Sequence, residues 1–276
     1  MRWYHICGAL LFSLLLSLAC LMAAQRLVLP LLPERVAAMA PLTPTRTSYS
    51  TGKKQIPILL YHAIGEYESL GRELFVSADV FAQQLDYLQQ AGFHTIHFSD
   101  LWEHWEYGMA LPDKPLIISF DDGYRSFYHY ALPLLKEREM TATVFVITNH
   151  VDLPRTMTPG MIWDALDEGI EIGSHSHNHL NLTTCSPDEV LPQLLESKDF
   201  LEELIGIPVQ ILAYPGGQHN QLVRDASRQA GYRMAVGTVP GINSFSDDYF
   251  QLHRIYIQRK DELDGFISII TAFTGE

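Results

Sequence analysis

Short apolar runs recur along the chain from residue 56 onward, and this recurrence constrains the fold more than any other feature. The runs are Ile56–Tyr61, His94–Phe98, Leu116–Phe120, Thr143–Thr148, Ile170–Gly173, Val209–Tyr214, Arg233–Gly237 and Arg254–Ile257. Between most of them lie segments with helix start and stop signals. Ser77 can cap a helix that runs to about Ala91, with Gly92 ending it. Ser186 followed by Pro187, Asp188 and Glu189 opens a second helix that Gly206 closes, and Pro192 inside it is expected to kink it or move its start. Asn220 to Ala230, followed by Gly231, repeats the scheme. Strands alternating with helices predict an α/β barrel or a doubly wound sheet. No repeat of solenoid type is present.

The first 55 residues read differently. Trp3–Gln25 carries no formal charge, and Ile6–Ala24 is dense in Leu and Ala, long enough to cross a membrane as a helix. It reads as a signal peptide or a membrane anchor over residues 1–29. An uncleaved anchor is favoured, because a small-x-small cleavage site is hard to find. Residues 30–55 are rich in Pro, Ser and Thr and read as a linker, leaving 56–276 as the folded domain. The expected location is therefore extracytoplasmic, either membrane-anchored or secreted. Charge follows the same division: residues 1–55 hold six basic and one acidic residue, residues 56–276 thirteen and thirty-one. So acidic a body is a poor nucleic-acid binder. Cys7 and Cys20 fall in the apolar run, so Cys185 stands alone in the domain and no disulfide framework is expected there.

In α/β folds of this kind chemistry gathers where strands end, and three polar clusters do follow apolar runs. Ser119-Phe120-Asp121-Asp122-Gly123 places two adjacent carboxylates after Leu116-Ile117-Ile118. Such a pair needs a cation or hydrogen bonds to compensate it, although Asp-Asp-Gly also reads as a turn with a helix cap. His175, His177 and His179 stand within five residues of one another. They are suited to zinc or a similar ion, and read otherwise as a solvated loop. Ala213-Tyr214-Pro215-Gly216-Gly217 predicts a tight turn. Carboxylates and imidazoles on neighbouring strand ends make a mixed N/O metal site. Such a site polarises a carbonyl and acidifies water, with a spare carboxylate as base.

In their order along the chain these segments resemble the NodB-homology polysaccharide deacetylases, carbohydrate esterase family 4. The resemblance rests on Pro57-Ile58-Leu59-Leu60-Tyr61-His62, Ser119 to Gly123, His175-Ser176-x-x-His179, Ala213-Tyr214-Pro215-x-Gly217 and Leu252-His253-Arg254-Ile255. It implies a distorted (β/α)7-type barrel. It also implies a hydrolase that removes N-acetyl groups from N-acetylglucosamine units of an extracellular polysaccharide: peptidoglycan, a chitin-like polymer or poly-N-acetylglucosamine. By the same resemblance Asp121 is the catalytic base, and Asp122, His175 and His179 are the ligands of a divalent metal, Zn²⁺ before Co²⁺ or Ni²⁺. The Tyr214 backbone N–H is the oxyanion donor and His253 the candidate acid, which reads equally as a packing histidine. The sequence departs from the family pattern in three places. Ala213 stands where many members have a base-orienting Arg, Thr238–Asp248 contains no Trp, and His253 follows Leu252 without a spacer. His62 ends the first strand and is read either as entering the site or as a buried, hydrogen-bonded residue. His177 is read as supporting the ligands or as solvated.

The partner so implied is an N-acetylated glycan, with no nucleic acid, with membrane contact only through the N-terminal segment, and with the chain a monomer. Two other readings stand beside it. One is a catalytically silent glycan-binding module of the same fold, and the other is a metal hydrolase acting on other acetylated substrates.

Overall fold

The computed structural model describes residues 49–50, 55–65, 74–245 and 247–275. The predicted anchor and most of the predicted linker lie outside them. No helix among the described residues is long and apolar enough to cross a membrane.

Seven strands form the frame: β1 (Ile58–Tyr61), β2 (Pro115–Phe120), β3 (Thr143–Val146), β4 (Glu171–Ser174), β5 (Ile211–Ala213), β6 (Met234–Val236) and β7 (Ile255–Tyr256). They lie in the order β6-β5-β4-β3-β2-β1-β7, every neighbouring pair parallel, with the short strand His94–Thr95 paired to the start of β2. A parallel bridge between Val236 and Leu252 joins the two ends of the sheet and curls it into a barrel. Among the described residues seven helices surround or plug it: α1 (Ala78–Gln90), α2 (Phe98–Tyr107), α3 (Leu132–Glu137), α4 (Pro159–Asp167), α5 (Pro187–Ile205), α6 (Gln221–Gln229) and α7 (Leu263–Thr274). This is the expected (β/α)7-type barrel.

The caps explain why the helices start where they do. The Ser77 hydroxyl accepts from the Val80 N–H, and the Asn220 side chain accepts from the Val223 N–H. The Glu189 carboxylate reaches back to the Ser186 N–H at 2.8 Å, completing a capping box. Helix α5 runs through Pro192 from Pro187 rather than starting later. Residues His94–Phe98 depart from expectation, because only His94–Thr95 is strand. The Asp100 carboxylate takes the His97 N–H, and Glu171 takes the Phe98 and Ser99 N–H groups at 2.9 and 3.0 Å. Two carboxylates at a helix start favour helix over strand extension.

Alternation along the strands sorts the core into two layers. Leu59, Tyr61, Ile118, Val144, Ile172, Leu212, Ala235 and Ile255 face the surrounding helices. Ile58, Ile117, Phe145, Ile211, Ala213, Met234 and Val236 face the barrel interior, closed by Phe98, Leu101 and Trp105 of α2. The carboxyl ends of the strands carry the polar residues.

Candidate active site

The two-residue period of a strand decides which polar side chains enter the barrel. Ile117 faces inward, so Ser119 and Asp121 follow it. Ile58 faces inward, so His62 does too. Gly173 lies against Phe145 and Ile211, both of the inner layer, and His175 is its inward successor. On β7, Ile255 and Ile257 face the helices, which turns Arg254 and Tyr256 into the barrel.

Asp122, His175 and His179 converge. One ligand atom from each lies within 4.8 Å of the others. The Asp122 Oδ1 is 3.5 Å from His175 Nε2 and 3.5 Å from His179 Nε2. A tetrahedral zinc ion with ligands at about 2.0–2.1 Å needs ligand atoms roughly 3.3 Å apart, so the three residues fit a divalent ion. The His175 Nδ1 lies 2.8 Å from the Ala213 carbonyl. A carbonyl only accepts, so Nδ1 carries the proton and Nε2 offers its lone pair to the cluster. Burial, then the neighbouring His175, lowers the pKa of His179. Its imidazole is thereby favoured in the neutral, ligating form.

The backbone is bent to make this cluster. Asp122, Ser176 and His179 all have positive φ, at 72°, 63° and 55°. Half of the six non-glycine residues with positive φ among those described thus sit in one site. Strained backbone persists where its surroundings over-determine it, and here they do. Thr148 and Asn149 donate their N–H groups to the carbonyls of Ser176 and His177, and the Ser176 hydroxyl accepts from the His179 N–H at 3.1 Å.

Beside the cluster, the Asp121 Oδ2 is 3.9 Å from His175 Nε2. Arg254, fully buried, grips Asp121 with both terminal nitrogens, 2.7 Å to each carboxylate oxygen. The guanidinium is fixed in turn by the Gly237 carbonyl at 2.7 Å and the Ser119 hydroxyl at 3.3 Å. Burial alone would raise the Asp121 carboxyl. The Arg254 charge, then His175, the Arg254 hydrogen bonds and His62, outweigh it and hold the group well below the usual carboxylate range. Each carboxylate oxygen has a second lone pair, so Asp121 stays ionised and able to accept a proton.

Comparisons with known proteins agree with this geometry. Residues 108–235 match the family model described as polysaccharide deacetylase. YxkH of Bacillus subtilis, which carries the same family name, is 30% identical over 203 residues, 74% of this chain and 71% of its own length. The chain belongs to the polysaccharide deacetylase family. A peptidoglycan-N-acetylglucosamine deacetylase of Bacillus cereus is 33% identical over 125 residues, 45% of this chain and 56% of that protein. Among solved structures, the Streptococcus pyogenes deacetylase PplD in complex with acetate superposes with a TM-score of 0.74 at 26% identity, covering 79% of this chain and 99% of that one.

Two residues singled out in the sequence of this deacetylase do not reach the cluster. His253 shares the outward phase of Ile255. Its ring lies against Gly241, its N–H is held by the Asn243 side chain at 2.7 Å, and its field falls on His219. Tyr214 also faces outward, its hydroxyl donating to the Phe250 carbonyl at 3.1 Å, and its backbone N–H is already spent on the Val236 carbonyl. The Gly217 and Gln218 N–H groups close the turn onto the Tyr214 and Pro215 carbonyls, and among the described residues the Gly216 N–H has no backbone partner.

Two others do reach it. His62 is half-buried in the joint field of Asp121, Asp122, Arg254 and His175, and its Nδ1 has no hydrogen-bond partner among the described residues. Arg254 stands in the sequence segment that carried the family resemblance, yet its side chain had been given no role. His177 supports the loop instead of joining the ligands: its Nδ1 lies 2.9 Å from the Thr148 hydroxyl and its Nε2 3.7 Å from Glu196 of α5. Trp105 stacks on Tyr249 in the layer that closes the far end of the barrel, away from the cluster.

Proposed function

We propose that the chain hydrolyses the N-acetyl groups of N-acetylglucosamine units in an extracellular polysaccharide, releasing acetate. One observation carries this reading: a buried, Arg-held carboxylate, Asp121, stands next to a three-ligand cluster that fits a divalent ion, at the carboxyl ends of barrel strands. The Bacillus cereus relative, by its name, acts on N-acetylglucosamine in peptidoglycan, which supports the glycan class. The apolar segment Ile6–Ala24 supports an extracytoplasmic, anchored or secreted protein.

Asp122, His175 and His179 would hold the ion, with zinc best suited to two imidazoles and a carboxylate. Bound there, it supplies Lewis acidity, polarising the acetamide carbonyl and bringing the pKa of water towards neutrality. Asp121 takes the proton of the attacking water, and Arg254 keeps the carboxylate turned towards the cluster while it does so. If the turn after β5 supplies a backbone donor to the developing oxyanion, Gly216 is the residue left to do so, since the Tyr214, Gly217 and Gln218 N–H groups are taken. The departing amine needs a proton, and His62 is the imidazole in the field of both carboxylates. The proton that Asp121 takes from water is the one that must reach the departing amine, and His62, whose pKa burial lowers, would carry it there.

The reading is tested by acetate release from N-acetylglucosamine oligomers in the presence of Zn²⁺ or Co²⁺. Release should stop when a chelator strips the ion and return when it is restored. His175→Ala should weaken ion binding by at least tenfold in calorimetric titration, together with activity. Oligomer binding without acetate release by the metal-loaded wild type would instead indicate a glycan-binding module, and release only from O-acetyl esters a hydrolase of other specificity. Exchanging the proton donor separates the two histidines. His62→Ala is expected to lower kcat about 10²–10⁴-fold, whereas His253→Ala should leave it nearly unchanged. The reverse ranking would return the acid role to His253.

A further inference from the structure

The loop that carries His179 presents four consecutive backbone N–H groups, from Ser176 to His179, and each ends on an acceptor. The first and the last are met locally. Ser174 Oγ accepts from the Ser176 N–H at 3.2 Å, and Ser176 Oγ accepts from the His179 N–H at 3.1 Å. The two between them are met from helix α5, and by a single residue. The Gln193 carbonyl accepts from the His177 N–H at 3.1 Å, and the Gln193 Oε1 accepts from the Asn178 N–H at 2.9 Å. A backbone donor withdrawn from water costs free energy unless it is paired, so Gln193 does for this loop what a strand partner does in a sheet.

Gln193 sits on a rigid element. Val190, Leu194 and Leu201 bury α5 against the core, and residues three and four positions apart share a helix face. Glu196 and Ser197 accordingly turn to the same loop as Gln193. The Glu196 Oε2 is 3.7 Å from His177 Nε2, and the Ser197 Oγ is 2.7 Å from the Ser174 Oγ, with both serines fully buried. The two histidine ligands depend on this support unequally. The His175 side chain is only 2% exposed and is fixed by the Ala213 carbonyl. The His179 side chain is 37% exposed, so its place is inherited from a backbone held at a φ of 55°.

The structure assigns Gln193 the part of a positioning residue: through the His177 and Asn178 peptide groups it holds His179 where Asp122 and His175 can share an ion with it. This rests on the cluster being an ion site, and adds a residue on α5, outside the cluster, that sets its affinity. Partners that orient a metal ligand without touching the metal are worth about ten- to hundredfold in binding.

The experiment measures Zn²⁺ affinity by calorimetry on ion-free wild type, Gln193→Met and Gln193→Glu. Methionine keeps the unbranched shape without the side-chain oxygen, whereas glutamate keeps an acceptor for the Asn178 N–H. Gln193→Met is expected to bind zinc about ten- to hundredfold more weakly, and Gln193→Glu to regain most of the loss. The visible bands of bound Co²⁺, which follow coordination geometry, should change in Gln193→Met and return in Gln193→Glu. A lost packing contact alone would lower Tm in the ion-free protein and leave those bands as in the wild type. Equal zinc affinity in Gln193→Met and wild type, an unaltered cobalt spectrum, or a glutamate variant no better than the methionine would each overturn the assignment and leave the ion site standing. A wild type that binds no zinc would overturn the ion site and the assignment together. Acetate release bears only on the deacetylase reading, so the three failures are distinguishable.

Discussion

Asp121→Asn is expected to lower kcat for acetate release about 10²–10⁴-fold, with the affinity for Zn²⁺ nearly unchanged. The two effects separate because Asp121 is not part of the converging set: the ligand atoms belong to Asp122, His175 and His179. Asparagine keeps the shape and one acceptor oxygen for Arg254 but cannot take a proton from water. Its amide nitrogen also faces a guanidinium donor where a carboxylate oxygen stood at 2.7 Å, so some stability is lost as well. Activity should therefore be compared well below the melting transition, with ion binding measured on the same preparation. His175→Ala gives the contrasting signature, in which ion and activity are lost together. An Asp121→Asn variant that kept its rate would remove the base assignment. One that lost zinc as completely as His175→Ala would place Asp121 among the ligands.

Much of this site was legible because strands impose a period. Asp121, Asp122 and the three histidines follow apolar runs, and the barrel brings strand ends together, so a mixed carboxylate–imidazole site followed from pattern, while the choice of Asp122, His175 and His179 as its ligands came from the family resemblance. What pattern did not supply was phase. Leu252-His253-Arg254-Ile255 contains a histidine and an arginine side by side, and chemistry alone favours the histidine as an acid. The alternation set by Ile255 and Ile257 turns Arg254 inward and His253 outward. Ala213 and Tyr214 pose the same choice, and Tyr214 faces the helices. Asp121 is thus held by an arginine just before β7 rather than by a side chain at position 213. His62 could have been assigned in the same way from Ile58. The positive φ of Ser176 and His179 has no signature in the neighbouring residues alone, because part of what holds that loop comes from Thr148 and Asn149, which donate to the Ser176 and His177 carbonyls.

The largest effect on stability is expected at Arg254. Replacing it with Met removes a guanidinium that is wholly buried and leaves the Asp121 carboxylate without its partner, which costs about 3–5 kcal/mol for a buried pair and lowers Tm by roughly 10 °C. The pH dependence identifies the cause. In the wild type the folded Asp121 pKa is depressed, so this group's contribution is fully present above its unfolded pKa of about 3.9 and is lost as pH falls towards the folded value. Without Arg254 the largest remaining influence is burial, which acts in the opposite direction. The folded pKa then rises above the unfolded one, and the variant loses stability as pH rises through that range. In ion-free protein the gap between wild type and Arg254→Met should accordingly widen from pH 4 to pH 7. Adding Asp121→Asn to Arg254→Met should recover part of the loss, since no buried charge remains. A gap independent of pH, or a double variant no more stable than Arg254→Met, would mean that Arg254 matters for its packing over Phe145 and not for the charge it sets against Asp121.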